Sequence, residues 1–144
     1  MYRRTASGVV EVLIVHPGGP LWAKRDEGAW SVPKGEYGEG EDPVDSADRE
    51  FAEEIGSPAP SGARLDLGEC RQPGGKLVHL WAVEGDVDVT TVVSNTFALE
   101  WPPRSGVMAT FPEVDRAAWV TLARAREKVL SGQLEFLDRL EEAL

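Results

Sequence analysis

"GEGEDPVDSADREFAEEIG", Gly38 to Gly56, decides how the rest of the chain is read. Asp42 followed by Pro43 offers an N-cap and a proline at the first helical position, and Gly56 offers a stop, so a helix is predicted over Pro43–Ile55. At about 100° per residue, Val44, Ala47, Phe51 and Ile55 form an apolar stripe, and Glu50, Glu53 and Glu54 share an adjoining arc of roughly 100°. Asp42, Asp45 and Asp48 near the helix start complement its dipole. The three glutamates stand in the C-terminal half, where the dipole and their mutual repulsion both disfavour negative charge. Acids on a helix are ordinarily a solvated face, but acids in this position call for a cation. Oxygen-only ligands suit a hard divalent ion, Mg2+ or Mn2+, rather than zinc, because no His or Cys stands nearby. Magnesium keeps waters and leaves room for phosphate oxygens, which points to phosphate chemistry.

Outward from this stretch, 144 residues with 42% hydrophobic content predict one domain over residues 1–144 with a core of its own. The formal charge is −10, and nine acids against Arg49 lie between Glu36 and Glu54, so the remainder is nearly neutral. Generic nucleic-acid binding, which needs clustered Lys and Arg, is not expected. Cys70 is the single cysteine, so no intrachain disulfide can form and a reducing compartment is expected. "MYRRTASGVVEV" lacks the apolar core of a signal peptide, and no apolar run nears the roughly 18 residues of a membrane helix. The expected location is cytoplasmic, with no membrane partner; a homodimer stays open.

Val9–Val15, rich in β-branched residues and closed by "HPGGP", predicts a strand, with Tyr2–Arg4 a short partner across Ala6-Ser7-Gly8. Further strands are predicted through Trp30–Val32, over Arg64–Cys70 and Lys76–Glu84 as a hairpin turning at Gln72–Gly75, over Val87–Leu99, and over Val114–Val120. A helical region is predicted from Leu122 to Leu144, broken at Ser131-Gly132. This order predicts an α+β chain, an α/β/α sandwich around a mixed sheet.

Gly35, five residues, Glu41, seven residues, Arg49-Glu50, Phe51, one residue, Glu53-Glu54, one residue and Gly56 resemble the Nudix box, G-x5-E-x7-R-E-U-x-E-E-x-G-U. All seven charged or glycine positions match, at a frequency of about 5 to 7% per residue type. Phe51 and Ser57 depart from the aliphatic positions; neither touches the ligand positions. The resemblance covers about a sixth of the chain by its box. "WSVPKGE" before it and "EWPPRSG" with "FPEVDRAAWV" after it resemble a group of small bacterial Nudix proteins. That group has a longer first strand, so either the strand is short here or the chain starts late.

The resemblance implies a Nudix fold with a central mixed sheet flanked by the box helix and the C-terminal helices. It also implies Mg2+- or Mn2+-dependent hydrolysis of a nucleoside diphosphate linked to another group, a small-molecule partner. On the matching positions, Glu50 and Glu54 are implied as metal ligands, with Glu53 a third ligand or the base that deprotonates water. Arg49 either orients a box glutamate or makes an ordinary helix ion pair with Glu53. Gly35 lets the backbone turn so that the Lys34 carbonyl faces the metal, or is a plain loop glycine. Glu41 reaches the metal cluster or supports the helix start, and Gly56 ends the helix. A late-loop acid completes many such sites, and Glu113 is the candidate, with Glu100 as its rival. Lys24, Arg25, Lys34 and Lys76 are candidates for the outer phosphates, and Trp22 and Trp101, beside Gly/Pro-rich loops, for stacking a base. Trp81, His16 and His79 read as packing or turn residues. A nucleoside polyphosphate, a dinucleoside polyphosphate and an ADP-ribose-like compound all fit. The competing reading is a catalytically silent Nudix-fold module that binds a nucleotide, whose usual mark is a lost box glutamate; here all three are present.

Overall fold

Val12, Leu13, Ile14 and Val15 are all buried, and the strand that carries them, β2 (Val10–Pro17), is the middle of the molecule. Alternate residues of a strand point to opposite faces. Leu13 and Val15 meet Phe51, Ile55 and Val114 on one side; Val12 and Ile14 meet Phe136, Leu137 and Leu140 on the other. Both faces are covered, which is why this strand reads as an unbroken apolar run. The computed structural model describes residues 1–144.

β2 pairs antiparallel with β1 (Tyr2–Arg4) and with β7 (Val114–Thr121). β3 (Arg64–Arg71) and β4 (Leu77–Val83) form the expected hairpin. A parallel bridge between Tyr2 and Glu84 attaches that hairpin beside β1. The spatial order is therefore β3-β4-β1-β2-β7, and this bridge gives the sheet its mixed character. Helix α1 (Pro43–Ile55) covers one face. Helices α2 (Leu122–Lys128) and α3 (Leu134–Ala143) cover the other, separated by a 3-10 turn at Ser131–Gln133 where the break is expected.

Two expectations need correction. Trp30–Val32 is not a full strand: Ser31 bridges Val15 and Trp30 bridges Val129. The Val32 amide instead donates to Oε1 of the wholly buried Gln133, 2.9 Å away. Val87–Leu99 is not extended throughout either. Asp88 takes the Thr90 amide at 2.9 Å and winds Val89–Thr91 into a 3-10 turn. Only β5 (Thr96–Glu100) is extended, and it pairs with a strand the sequence did not announce, β6 (Met108–Pro112).

The ends of α1 fall at the predicted residues. Asp42 Oδ1 accepts from the Val44 amide at 2.9 Å and the Asp45 amide at 3.1 Å. Gly56 adopts φ 83° and donates to the Ala52 carbonyl at 2.8 Å, while a Cβ there would lie 2.5 Å from the Val93 carbonyl oxygen. Gly56→Ala should therefore lower stability by about 2 kcal/mol or more, because left-handed strain and a backbone collision add. Urea unfolding of the two proteins measures this.

Candidate active site

Helix α1 presents its glutamates to the loop that runs from Pro33 into Gly35. Glu54 is mostly buried, and its Oε2 accepts from the Lys34 amide at 2.9 Å. Glu50 lies against Gly35 so closely that a Cβ there would sit 1.7 Å from the Glu50 carboxyl carbon. Gly35 has no positive φ. Its requirement is therefore space for the Glu50 carboxylate rather than the sharp turn expected from sequence. Arg49 Nη1 donates to Glu50 Oε1 at 2.8 Å and to Glu53 Oε1 at 3.2 Å, while Nη2 donates to the Glu36 carbonyl at 3.0 Å. Both readings of Arg49 thus coexist: it holds a neighbouring glutamate and makes the i,i+4 pair.

Glu113 arrives from the β6–β7 junction. Its amide donates to the Asn95 carbonyl at 2.8 Å, and the Asn95 amide donates to the Glu53 carbonyl at 2.8 Å. This two-bond relay fixes the late loop to the C-terminal end of α1, and the Glu113 charge is felt at Glu54. The rival Glu100 is tied up in its own hairpin, where Oε1 accepts from the Gly106 amide at 3.2 Å.

The Glu54 carboxyl is pushed from its ordinary 4.5 up to about 7. Burial is the first cause, and the Glu50 and Glu113 charges add to it, against the lowering effect of the Lys34 amide and ammonium. Between pH 4.5 and 7 the folded chain keeps a proton that the unfolded chain has released, so the contribution of this group to stability falls as pH rises through that window. Without divalent ions, Tm should fall across it more steeply in the native chain than in Glu54→Gln. Parallel melts of the two proteins at several pH values decide this.

A half-buried carboxylate within reach of the charges of two others, with oxygen donors only, fits a hard divalent cation in charge and in donor type. In the present arrangement no three acidic side chains close around a single point, and Glu53 accepts from Arg49 at 3.2 Å.

The family model described as NUDIX domain matches residues 4–140, nearly the whole chain. The chain belongs to the Nudix family. Nudix hydrolases are nucleotide pyrophosphohydrolases, and this chain is accordingly a hydrolase of diphosphate bonds. No curated protein matches it in sequence. Among solved structures, an Ap4A hydrolase of C. elegans in a binary complex superposes with a TM-score of 0.62 at 18% identity, covering 99% of this chain and 90% of that one. The NUDIX domain of Shewanella oneidensis NrtR, complexed with ADP ribose, gives 0.63 at 15%, covering 99% and 82%. A Nudix hydrolase from M. smegmatis, RenU, gives 0.56 at 21%, covering 99% and 80%. At these identities the superpositions speak for the Nudix fold.

Glu41 lies at the opposite end of α1 from Glu54. It accepts from the Gly38 amide at 2.7 Å and from Ser46 Oγ at 3.2 Å, so it supports the helix start, and it stands 3.8 Å from Arg49. Lys34 brings both its amide and its charge to the site. Lys76 is paired with Glu36. The loop bearing Trp22, Lys24 and Arg25 begins beside Glu113, whose carbonyl accepts from the Gly18 amide at 2.9 Å, and the Arg25 guanidinium lies 5.3 Å over the Trp22 ring. Trp101 stands apart, at the far end of the β5–β6 hairpin. Sequence reasoning missed Asn95 and Glu36. Both act on the site through backbone groups, the amide and carbonyl of Asn95 and the carbonyl of Glu36, which leave no side-chain signal.

Proposed function

We propose that residues 1–144 form a Mg2+- or Mn2+-dependent Nudix pyrophosphohydrolase that cleaves a nucleoside diphosphate linked to another group, by attack of water at phosphorus. The observation that carries this reading is the pair Glu50 and Glu54 brought against the Lys34–Gly35 loop, where Glu54 accepts from the Lys34 amide at 2.9 Å and Glu50 takes the space over Gly35. Glu50 and Glu54, with Glu113 and the Lys34 carbonyl, would hold the metal, which supplies charge neutralisation on the diphosphate and makes an attacking water more acidic. Arg49 orients Glu50 and Glu53, and Glu53 takes the proton from the attacking water. The Lys34 ammonium meets a phosphate oxygen. Trp22, Lys24 and Arg25, on the loop that starts at Glu113, receive the outer part of the substrate, and Trp101 is the more remote stacking candidate. Two similar structures are named for Ap4A hydrolysis and for bound ADP ribose, which supports a substrate built on a nucleotide diphosphate.

The engagement of Glu53 with Arg49 favours one competing reading, a silent nucleotide-binding module. Mg2+ or Mn2+ at millimolar concentration should raise Tm by several degrees under either reading, through preferential binding to the folded state; absence of any shift rejects the metal site. Release of phosphate or nucleoside monophosphate from a panel of ADP-ribose, dinucleoside polyphosphates and nucleoside triphosphates should then appear for the enzyme alone.

A further inference from the structure

His16 stands wholly buried at the end of the apolar run of β2, where a polar ring is costly unless its nitrogens find partners. Both do. Nε2 donates to the Arg25 carbonyl at 2.8 Å, since a carbonyl can only accept, and Nδ1 is hydrogen-bonded to Asp115 Oδ1 at 2.8 Å. In the pairing of β2 with β7, His16 faces Arg116 and Pro17 faces Val114, which leaves Asp115 as the extra residue of a β-bulge. That bulge lies directly after the Glu113-Val114 step into β7. Trp30 stands edge-on to the imidazole, with ring centroids 5.2 Å apart, and limits its tilt.

Packing accounts for the burial of His16 but not for its partner on the loop. Between β2 and Trp30 the chain has no strand or helix of its own, so its position depends on a few bonds to the rest of the protein. The Gly18 amide donates to the Glu113 carbonyl at 2.9 Å, and the Gly28 amide to the Glu127 carbonyl at 3.1 Å. Asp26 Oδ1 accepts from Trp30 Nε1 at 2.7 Å and from Lys128 Nζ at 2.6 Å. Of these fastenings, the one from His16 alone holds a residue assigned to the substrate. With the Arg25 carbonyl fixed, its guanidinium lies 5.3 Å over the Trp22 ring, so one imidazole sets the base of both side chains.

We propose that His16 is a positioning residue for substrate binding: it holds the Arg25 carbonyl so that Trp22 and Arg25 meet the outer part of the substrate already in place. It touches no substrate itself. The inference rests on the assignment of Trp22, Lys24 and Arg25 to the substrate. A loop ordered in advance lowers the cost of binding, so the effect falls on KM and not on kcat.

Two substitutions separate this role from packing. Glutamine carries its amide nitrogen to the place of Nε2 and keeps a donor for the Arg25 carbonyl; asparagine carries its own to the place of Nδ1 and loses that bond. Both variants should melt below the native protein. His16→Asn should raise KM for the panel substrate turned over fastest by about tenfold, the worth of one hydrogen bond, and leave kcat within about threefold. Hydrogen exchange of the Leu21–Asp26 amides in the folded protein should quicken by about tenfold. His16→Gln should keep KM and loop exchange within about threefold of the native values. Equal KM in the two variants, a raised KM in His16→Gln, a loss confined to kcat, or unchanged loop exchange in His16→Asn overturns the proposal. A chain with both Trp22→Ala and Arg25→Ala tests the assignment beneath it. A KM raised there but not in His16→Asn overturns the positioning role alone, whereas an unchanged KM removes the loop from the substrate and overturns both.

Discussion

Glu54→Gln should lower turnover of every diphosphate substrate by at least about a hundredfold, while the metal-free protein should melt no lower than the native one. The first half follows from the loss of an anionic ligand at the place where transition-state charge must be neutralised. The second follows from the cost of the native arrangement. A glutamine is neutral, keeps an oxygen for the Lys34 amide, and removes the repulsion with Glu50 and Glu113. A stabilised yet inactive protein separates a functional carboxylate from a structural one, since a structural residue would lose both properties together. Glu53→Gln should cost a similar factor in turnover. Normal turnover in both variants would remove the roles assigned to α1.

Gly35→Ala should reduce turnover by about ten- to a hundredfold with little loss of stability. The added methyl group would occupy the place of the Glu50 carboxylate, 1.7 Å from its carbon. That carboxylate is the end of a flexible side chain, so it can swing aside at small energetic cost, but it then leaves the site, and displacement by about 1 Å is enough to cost such factors. Gly56→Ala is the counterpart. Its collision is with the Val93 backbone, which cannot move aside, so it should lose stability first. Turnover and Tm measured on both variants distinguish a glycine that makes room for chemistry from one that ends a helix.

The box helix was legible to the residue because Asp42, Pro43 and Gly56 each impose a backbone constraint that local sequence states outright. β2 was legible because both its faces are buried. Trp30–Val32 was misread because Gln133, a hundred residues away, supplies the hydrogen bond that a neighbouring strand would have made. β6 escaped because it is short and half exposed and draws its identity from pairing with β5. At the site, charge type and helical spacing placed the glutamates on one face. They did not tell that Glu50 would rest on Gly35, a contact made by chain closure rather than by periodicity.

The Asn95 relay ties residues far apart in the chain, Glu53, Asn95 and Glu113, through amides alone. A nascent polypeptide must therefore have delivered nearly its whole length before the last acid can take its post, since such distant closures come late. The Asn95 and Glu113 amides serve as a built-in gauge of readiness: once they resist solvent deuterium, the late loop has docked.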